Sequence, residues 1–140
     1  QVAEVGRLLE RYVKESDSKI DIEKYLTICE QLGQEPDPAK MPLEASDFPE
    51  EVQVAFFIYG LLSDRYEGMS GTYLGKDWTG VDYLFELYQV TSPPIVMYFA
   101  KMYETLVVSE RLDKASKDRK RAEQNAKASG GKQYTHNVSG

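Results

Sequence analysis

The stretch that decides the fold is Asp47-Phe-Pro-Glu-Glu-Val-Gln-Val-Ala-Phe-Phe-Ile-Tyr-Gly-Leu-Leu-Ser-Asp64. Asp47 is a helix-capping residue type, Pro49 suits a first helical turn, and Glu50 can reach back to the cap amide. From Glu50 to about Asp64, Val52, Ala55, Phe56, Tyr59 and Leu62 recur at helical spacing, and Val54, Phe57, Ile58 and Leu61 cover most of the remaining circumference. Apolar on nearly every side, this segment predicts a buried hub helix. Burying one such side chain contributes roughly 1.5–3 kcal/mol, so the element dominates the predicted core.

Working outward, the next stretch is Tyr66-Glu-Gly-Met-Ser-Gly-Thr-Tyr-Leu-Gly-Lys-Asp-Trp-Thr-Gly80, which holds four of the ten glycines and the only tryptophan. Gly71-Thr-Tyr-Leu-Gly75-Lys76-Asp77 invites comparison with a phosphate loop and fails it. The glycine spacing is one residue short, Asp77 stands where a metal-binding hydroxyl is needed, and a helix precedes it instead of a strand. The composition predicts a structured turn, with Met69, Tyr73, Leu74 and Trp78 folded back on the core and any exposed side of it, Tyr73 and Trp78 included, serving as a partner surface.

Downstream, Val81 to about Gln89 reads as a short helix, and Ser92-Pro93 starts a long one. Ile95, Tyr98, Phe99, Met102, Leu106 and Leu112 form its expected core stripe. Beyond Leu112, Asp113–Ala128 has only alanine as an apolar residue but good helix propensity. From Ser129 a flexible tail is expected. Upstream, residues 2–15 and Asp21–Leu32 are amphipathic helices separated by a break at Ser16–Lys19, with Gly33 as a stop and Cys29 on an apolar face. Pro36, Pro38 and Pro42 make Gln34–Ser46 an irregular connector, in which Met41 and Leu43 act as pegs. No window alternates with period two. The predicted fold is all-α, an irregular bundle of about five helices, with a bundle domain over residues 1–112 and a basic helical extension and flexible tail over 113–140.

Composition narrows the chemistry. One cysteine and one histidine, His136, leave no disulfide, no multi-thiolate zinc site and no histidine cluster within the 140 residues. Asp64, Glu67, Asp77 and Asp82 gather around the loop without the spacing of a calcium-binding loop. General acid–base catalysis lacks its usual agent, so the expectation is no enzyme, no catalytic residue, no metal and no cofactor. The longest apolar runs fall far short of the ~20 residues of a membrane span, and no signal peptide is visible, which points to a cytoplasmic protein with no membrane contact.

The net charge of −6 conceals a split, with residues 111–140 at +5 and residues 1–110 at −11. Lys117, Arg119, Lys120 and Arg121 concentrate the positive charge, interleaved with Asp113, Asp118 and Glu123. Two readings of this arm stand: a protein-docking arm, which includes self-association on the acidic body of a neighbouring copy, and a nucleic-acid-binding segment. The expected partner-binding residues are therefore Met69, Tyr73 and Trp78 in the loop, and Lys117, Arg119, Lys120 and Arg121 in the arm.

Phe48-Pro-Glu-Glu-Val-Gln-Val-Ala-Phe-Phe-Ile-Tyr59 and Glu67-Gly-Met-Ser-Gly-Thr-Tyr-Leu-Gly-Lys-Asp-Trp78 resemble small proteins of contractile-tailed bacteriophages, marine cyanophages in particular, over roughly residues 20–110. The resemblance implies a non-catalytic helical product of the tail or baseplate assembly type, found in the host cytoplasm or the virion.

Overall fold

The computed structural model describes the backbone of residues 2–18 and 21–139 and the side chains of residues 2–16 and 21–129. Among these the fold is mostly helical, with five α-helices: α1 (Val2–Ser18), α2 (Ile22–Gln31), α3 (Glu50–Leu61), α4 (Val81–Leu87) and α5 (Pro93–Ser139). A two-stranded antiparallel hairpin, β1 (Asp64–Tyr66) and β2 (Tyr73–Lys76), joins α3 to α4. Over the tail expected from Ser129 to be flexible the backbone continues as helix to Ser139, and the side chains past residue 129 lie outside the described residues.

The hairpin corrects the expectation of helices and turns alone. Its strands are three and four residues long and interrupted by Gly75, too short to show alternation in sequence. Asp64 pairs with Lys76, Arg65 with Gly75 and Tyr66 with Tyr73, so Leu74 is the extra residue of a bulge and is pushed outward.

α5 is the element against which the others pack. α3 and β2 lie on it, and α1 runs parallel to it, with Gly6 beside Met102 and Lys14 near enough to Glu110 and Asp113 to feel their charge. One core cluster joins Ala55 and Ile58 of α3, and Leu62 just past its end, to Val81, Val96 and Ala100. A second joins Val5 and Leu9 of α1 to Phe48 and Val52, with Tyr12, Phe56, Met102, Tyr103 and Leu106 around them. Phe48, Phe56, Tyr12, Tyr59 and Tyr103 form a chain of edge-on and stacked ring pairs at 4.9–5.4 Å.

Several local expectations are revised. α1 continues to Ser18, through the predicted break. Asp47 does not cap α3. Its carboxylate accepts the Glu44 amide and closes a 3-10 turn, Ala45–Asp47, while the Pro49 carbonyl starts α3 by accepting from Val52 and Gln53. α2 buries only Cys29, and Leu26, Ile28 and Leu32 are exposed. Leu43 packs on the second cluster as a peg, whereas Met41 contributes its carbonyl to Arg11. The inward stripe of α5 is rotated toward Val96, Ala100 and Tyr103, leaving Ile95, Tyr98 and Leu112 half-exposed. α3 is not buried all round: Phe57 and Leu61 face outward.

Candidate partner-binding surface

The hairpin is fastened to α5 by one carboxylate. Glu104 Oε2 accepts the Lys76 amide and the Trp78 indole Nε1, each at 2.7 Å. Glu104 can come this close because residue 75 is glycine: a Cβ there would sit 2.6 Å from that oxygen, on a backbone whose φ is +100°. Both the close approach and the left-handed conformation require glycine. Lys101 completes this edge, with its ammonium 4.2 Å above the Trp78 ring and 3.8 Å from the other Glu104 oxygen.

Beneath the hairpin runs a second polar network. Tyr73 donates to Asp64 Oδ1 at 2.9 Å and lies 2.8 Å from the Tyr59 hydroxyl. With its single proton given to Asp64, Tyr73 accepts from Tyr59. Lys76 is buried, and its ammonium meets Asp64 at 2.9 Å, the Leu62 carbonyl at 3.1 Å and the face of the Tyr59 ring at 4.7 Å. Arg111 closes the far side, stacked 4.0 Å from the Tyr73 ring centre and donating to the Tyr66 hydroxyl at 3.3 Å. The Lys76 hydrogen bond, ahead of the contrary effect of burial, holds the Asp64 carboxyl below its ordinary range. Burial, reinforced by the bonds to Tyr59 and Asp64, pushes the Tyr73 hydroxyl far up, and burial raises Tyr59 and takes Tyr103 to about 12. No described buried side-chain nitrogen or oxygen lacks a partner. A network so fully satisfied fixes one geometry for the hairpin.

What the network holds in place is the tip. Glu67 Oε2 accepts the Met69 amide at 3.0 Å, the Ser70 amide at 2.6 Å and the Ser70 hydroxyl at 2.7 Å, and the Ser70 bonds lower the Glu67 carboxyl below its ordinary value. Gly71, at φ +70°, donates its amide back to the Glu67 carbonyl. At the apex stands Met69, 97% exposed.

The residues expected to meet a partner are thus separated by the fold. Met69 is presented outward and not folded on the core. Tyr73 is 5% exposed and Trp78 partly buried against the first cluster, so both hold the hairpin and neither faces outward from it. Lys117, Arg119, Lys120 and Arg121 lie on α5 past the end of the body, where every described side chain from 111 to 129 is exposed except Ser116. The seventeen residues 113–129 extend about 26 Å at helical rise. Lys117, Lys120, Gln124 and Lys127 follow one another at spacings of three and four, with Lys114 and Arg121 beside them, so most of the positive charge shares one face. Arg119 points away from it, on the side of Ala115, Ala122 and Ala126.

The part that Glu104, Lys76, Tyr59 and Arg111 play in fixing the hairpin was not read from the sequence, which placed Tyr59 on the hub helix and Lys76 in the glycine-rich stretch without partners. The signal was present in Glu104 alone: a carboxylate four residues from Ala100 and three from Val107, within an otherwise apolar face. Among the described residues no group of three or more histidine, cysteine, aspartate or glutamate side chains is placed to hold a metal ion, and no helix is long and apolar enough to cross a membrane. No protein-family model, curated protein or solved structure matches the chain.

Proposed function

We propose that the protein is a non-catalytic assembly factor, of the type that small tail and baseplate proteins of contractile-tailed phages represent, which binds protein partners through the hairpin tip and the basic arm. The observation that carries this reading is the arm. A helix that leaves the body, has no apolar stripe, adds nothing to either core cluster and concentrates lysine and arginine on one face gains most of its contacts only against an acidic surface. The rigid tip supports the same reading, because a fully exposed methionine on a pre-ordered turn offers an adaptable apolar contact at little entropic cost.

The test is capture from phage-infected or native lysate, combined with light scattering of the full chain. Wild-type protein retains an acidic partner or self-associates. Lys117→Glu with Lys120→Glu releases it, and Met69→Ser weakens it. A strictly monomeric protein that captures nothing defeats the proposal.

The one-sided charge favours a second reading, a nucleic-acid-associated accessory protein. Five basic side chains on one face of the arm (Lys114, Lys117, Lys120, Arg121 and Lys127) predict a log–log salt slope of about −3.5 on single-stranded and about −4.5 on double-stranded probes, lost on deleting 111–140. The carboxylates Asp113, Asp118 and Glu123 and the acidic body weigh against it. Salt-independent or absent retention removes it.

A further inference from the structure

α3 turns part of its apolar surface outward, and α4 extends that surface. The two helices lie side by side in opposite directions: Leu62, just past the end of α3, shares a cluster with Val81 at the start of α4, and Phe57 meets Tyr88 at its end with ring centres 4.9 Å apart. Phe57 is 50% exposed, Leu61 43%, Tyr83 65%, Leu87 55% and Tyr88 47%. Half-exposed side chains of this size leave on the order of 100 Å² each, so the five together offer about 500 Å². A patch of that extent matches the largest apolar patch of a typical monomer, which is often functional. Tip and arm play no part in it.

Charge selects the occupant. α3 and α4 carry four carboxylates, Glu50, Glu51, Asp82 and Glu86, and neither lysine nor arginine. All four are exposed, and Glu50 shares the outward strip of α3 with Val54, Phe57 and Leu61, at spacings of four, three and four. A second copy docking through the same face would set carboxylates against carboxylates. The seam along two helices lying side by side is where a third helix packs by ridges and grooves.

We infer that the Phe57–Leu61–Tyr88 face is a docking site for an amphipathic helix of a different protein, one with an apolar stripe flanked by lysine or arginine.

The experiment titrates the full chain against a labelled synthetic helix of leucine and lysine in amphipathic register, and against its leucine–glutamate counterpart, by fluorescence anisotropy. The basic peptide binds about tenfold or more tightly than the acidic one. Phe57→Ser with Leu61→Ser weakens basic-peptide binding by about tenfold or more while the circular-dichroism spectrum stays that of the folded protein at the titration temperature, the melt being lowered only by the partial burial lost, including the Phe57–Tyr88 contact. Glu50→Gln with Glu86→Gln weakens it by about two- to fivefold. If the serine variant binds as tightly as wild type, the attraction is charge alone and the inference is overturned. It is overturned equally if the two peptides bind alike, or if wild type sediments as a dimer that the serine substitutions dissociate, which would make a second copy the occupant.

Discussion

The two halves of α5 are one continuous helix built on opposite principles. Residues 93–112 are specified by what they touch: Val96 and Ala100 in one core cluster, Met102, Tyr103 and Leu106 at the other, Glu104 on the hairpin. Residues 113–129 belong to neither core cluster, meet the body only near their start, where Asp113 lies close to Lys14 and Ser116 is partly covered, and rely on alanine, lysine, glutamine and arginine as good helix formers. Their one described ion pair, Lys117 with Asp113 at 3.5 Å, is exposed and worth about 0.3–0.5 kcal/mol. Tertiary contact makes the first half a scaffold. Its near-absence leaves the second half free to respond to a partner.

Breaking the scaffold half carries the largest effect. Glu104→Ala strands the Trp78 indole N–H and the Lys76 amide in a partly buried setting, and destabilises the fold by about 2–4 kcal/mol in chemical denaturation. An arm variant of similar chemistry, Glu123→Ala, shifts stability by no more than about 0.5 kcal/mol. A loss for Glu104→Ala as small as that for Glu123→Ala would erase the contrast.

Gly75→Ala follows, at about 2–3 kcal/mol, because it combines a left-handed backbone with a clash against the Glu104 carboxylate. Gly71→Ala carries the backbone cost alone, with open space around its Cβ, and destabilises by about 1–2 kcal/mol. The difference between the two isolates the Glu104 approach.

The third contrast is titration. Tyr59, Tyr73 and Tyr103 sit above the ordinary tyrosine value of 10.0 in the folded protein. The folded state therefore retains protons that the unfolded chain gives up, and the stability this confers is whole below pH 10 and lost as pH rises through the folded values. Asp64 runs the other way: its lowered carboxyl contributes above the ordinary 3.8, and that contribution disappears as pH falls through the folded value. Tyr73→Phe flattens the alkaline limb and Asp64→Asn the acid limb of a stability–pH profile. Lys117→Gln leaves both limbs in place.

The smallest effect sharpens the comparison most. Deleting residues 113–140 lowers total helix signal by circular dichroism but moves the denaturation midpoint of the body by the equivalent of no more than about 0.5 kcal/mol. A larger shift would mean that the arm contributes to the body after all.

The helices were legible because each has its own periodic signal, and α3 and the start of α5 at Pro93 stand close to where spacing and proline placed them. Periodicity fails where contacts come from far along the chain. Glu104 meets residues 28 and 26 positions away and Arg111 meets Tyr66 45 positions away, distances at which no local pattern carries information. The hairpin escaped for the same reason, since its strands are ordered by α5 and by a bulge at Leu74, not by alternation. α3 misled in the opposite direction. An apolar circumference implies that something covers it, and for Phe57 and Leu61 the body does so only in part. Met69 was legible as a loop residue, but its exposure depends on Glu67 tying the turn outward.

The parallel course of α1 along α5 sets the order in which this body can assemble. Gly6 meets Met102, so the first helix closes a loop of nearly the whole domain before it gains a single apolar neighbour on α5. The ribosome releases α1 before α5, and until α5 arrives α1 has only Phe48, Val52 and their neighbours to cover Val5 and Leu9. Local pairs such as α3 with α4 form early, and docking of α1 on α5 completes the fold. Refolding should therefore show Leu9→Ala accelerating unfolding with little change in the folding rate, and a domain relinked so that α1 follows α5 should fold faster at equal stability.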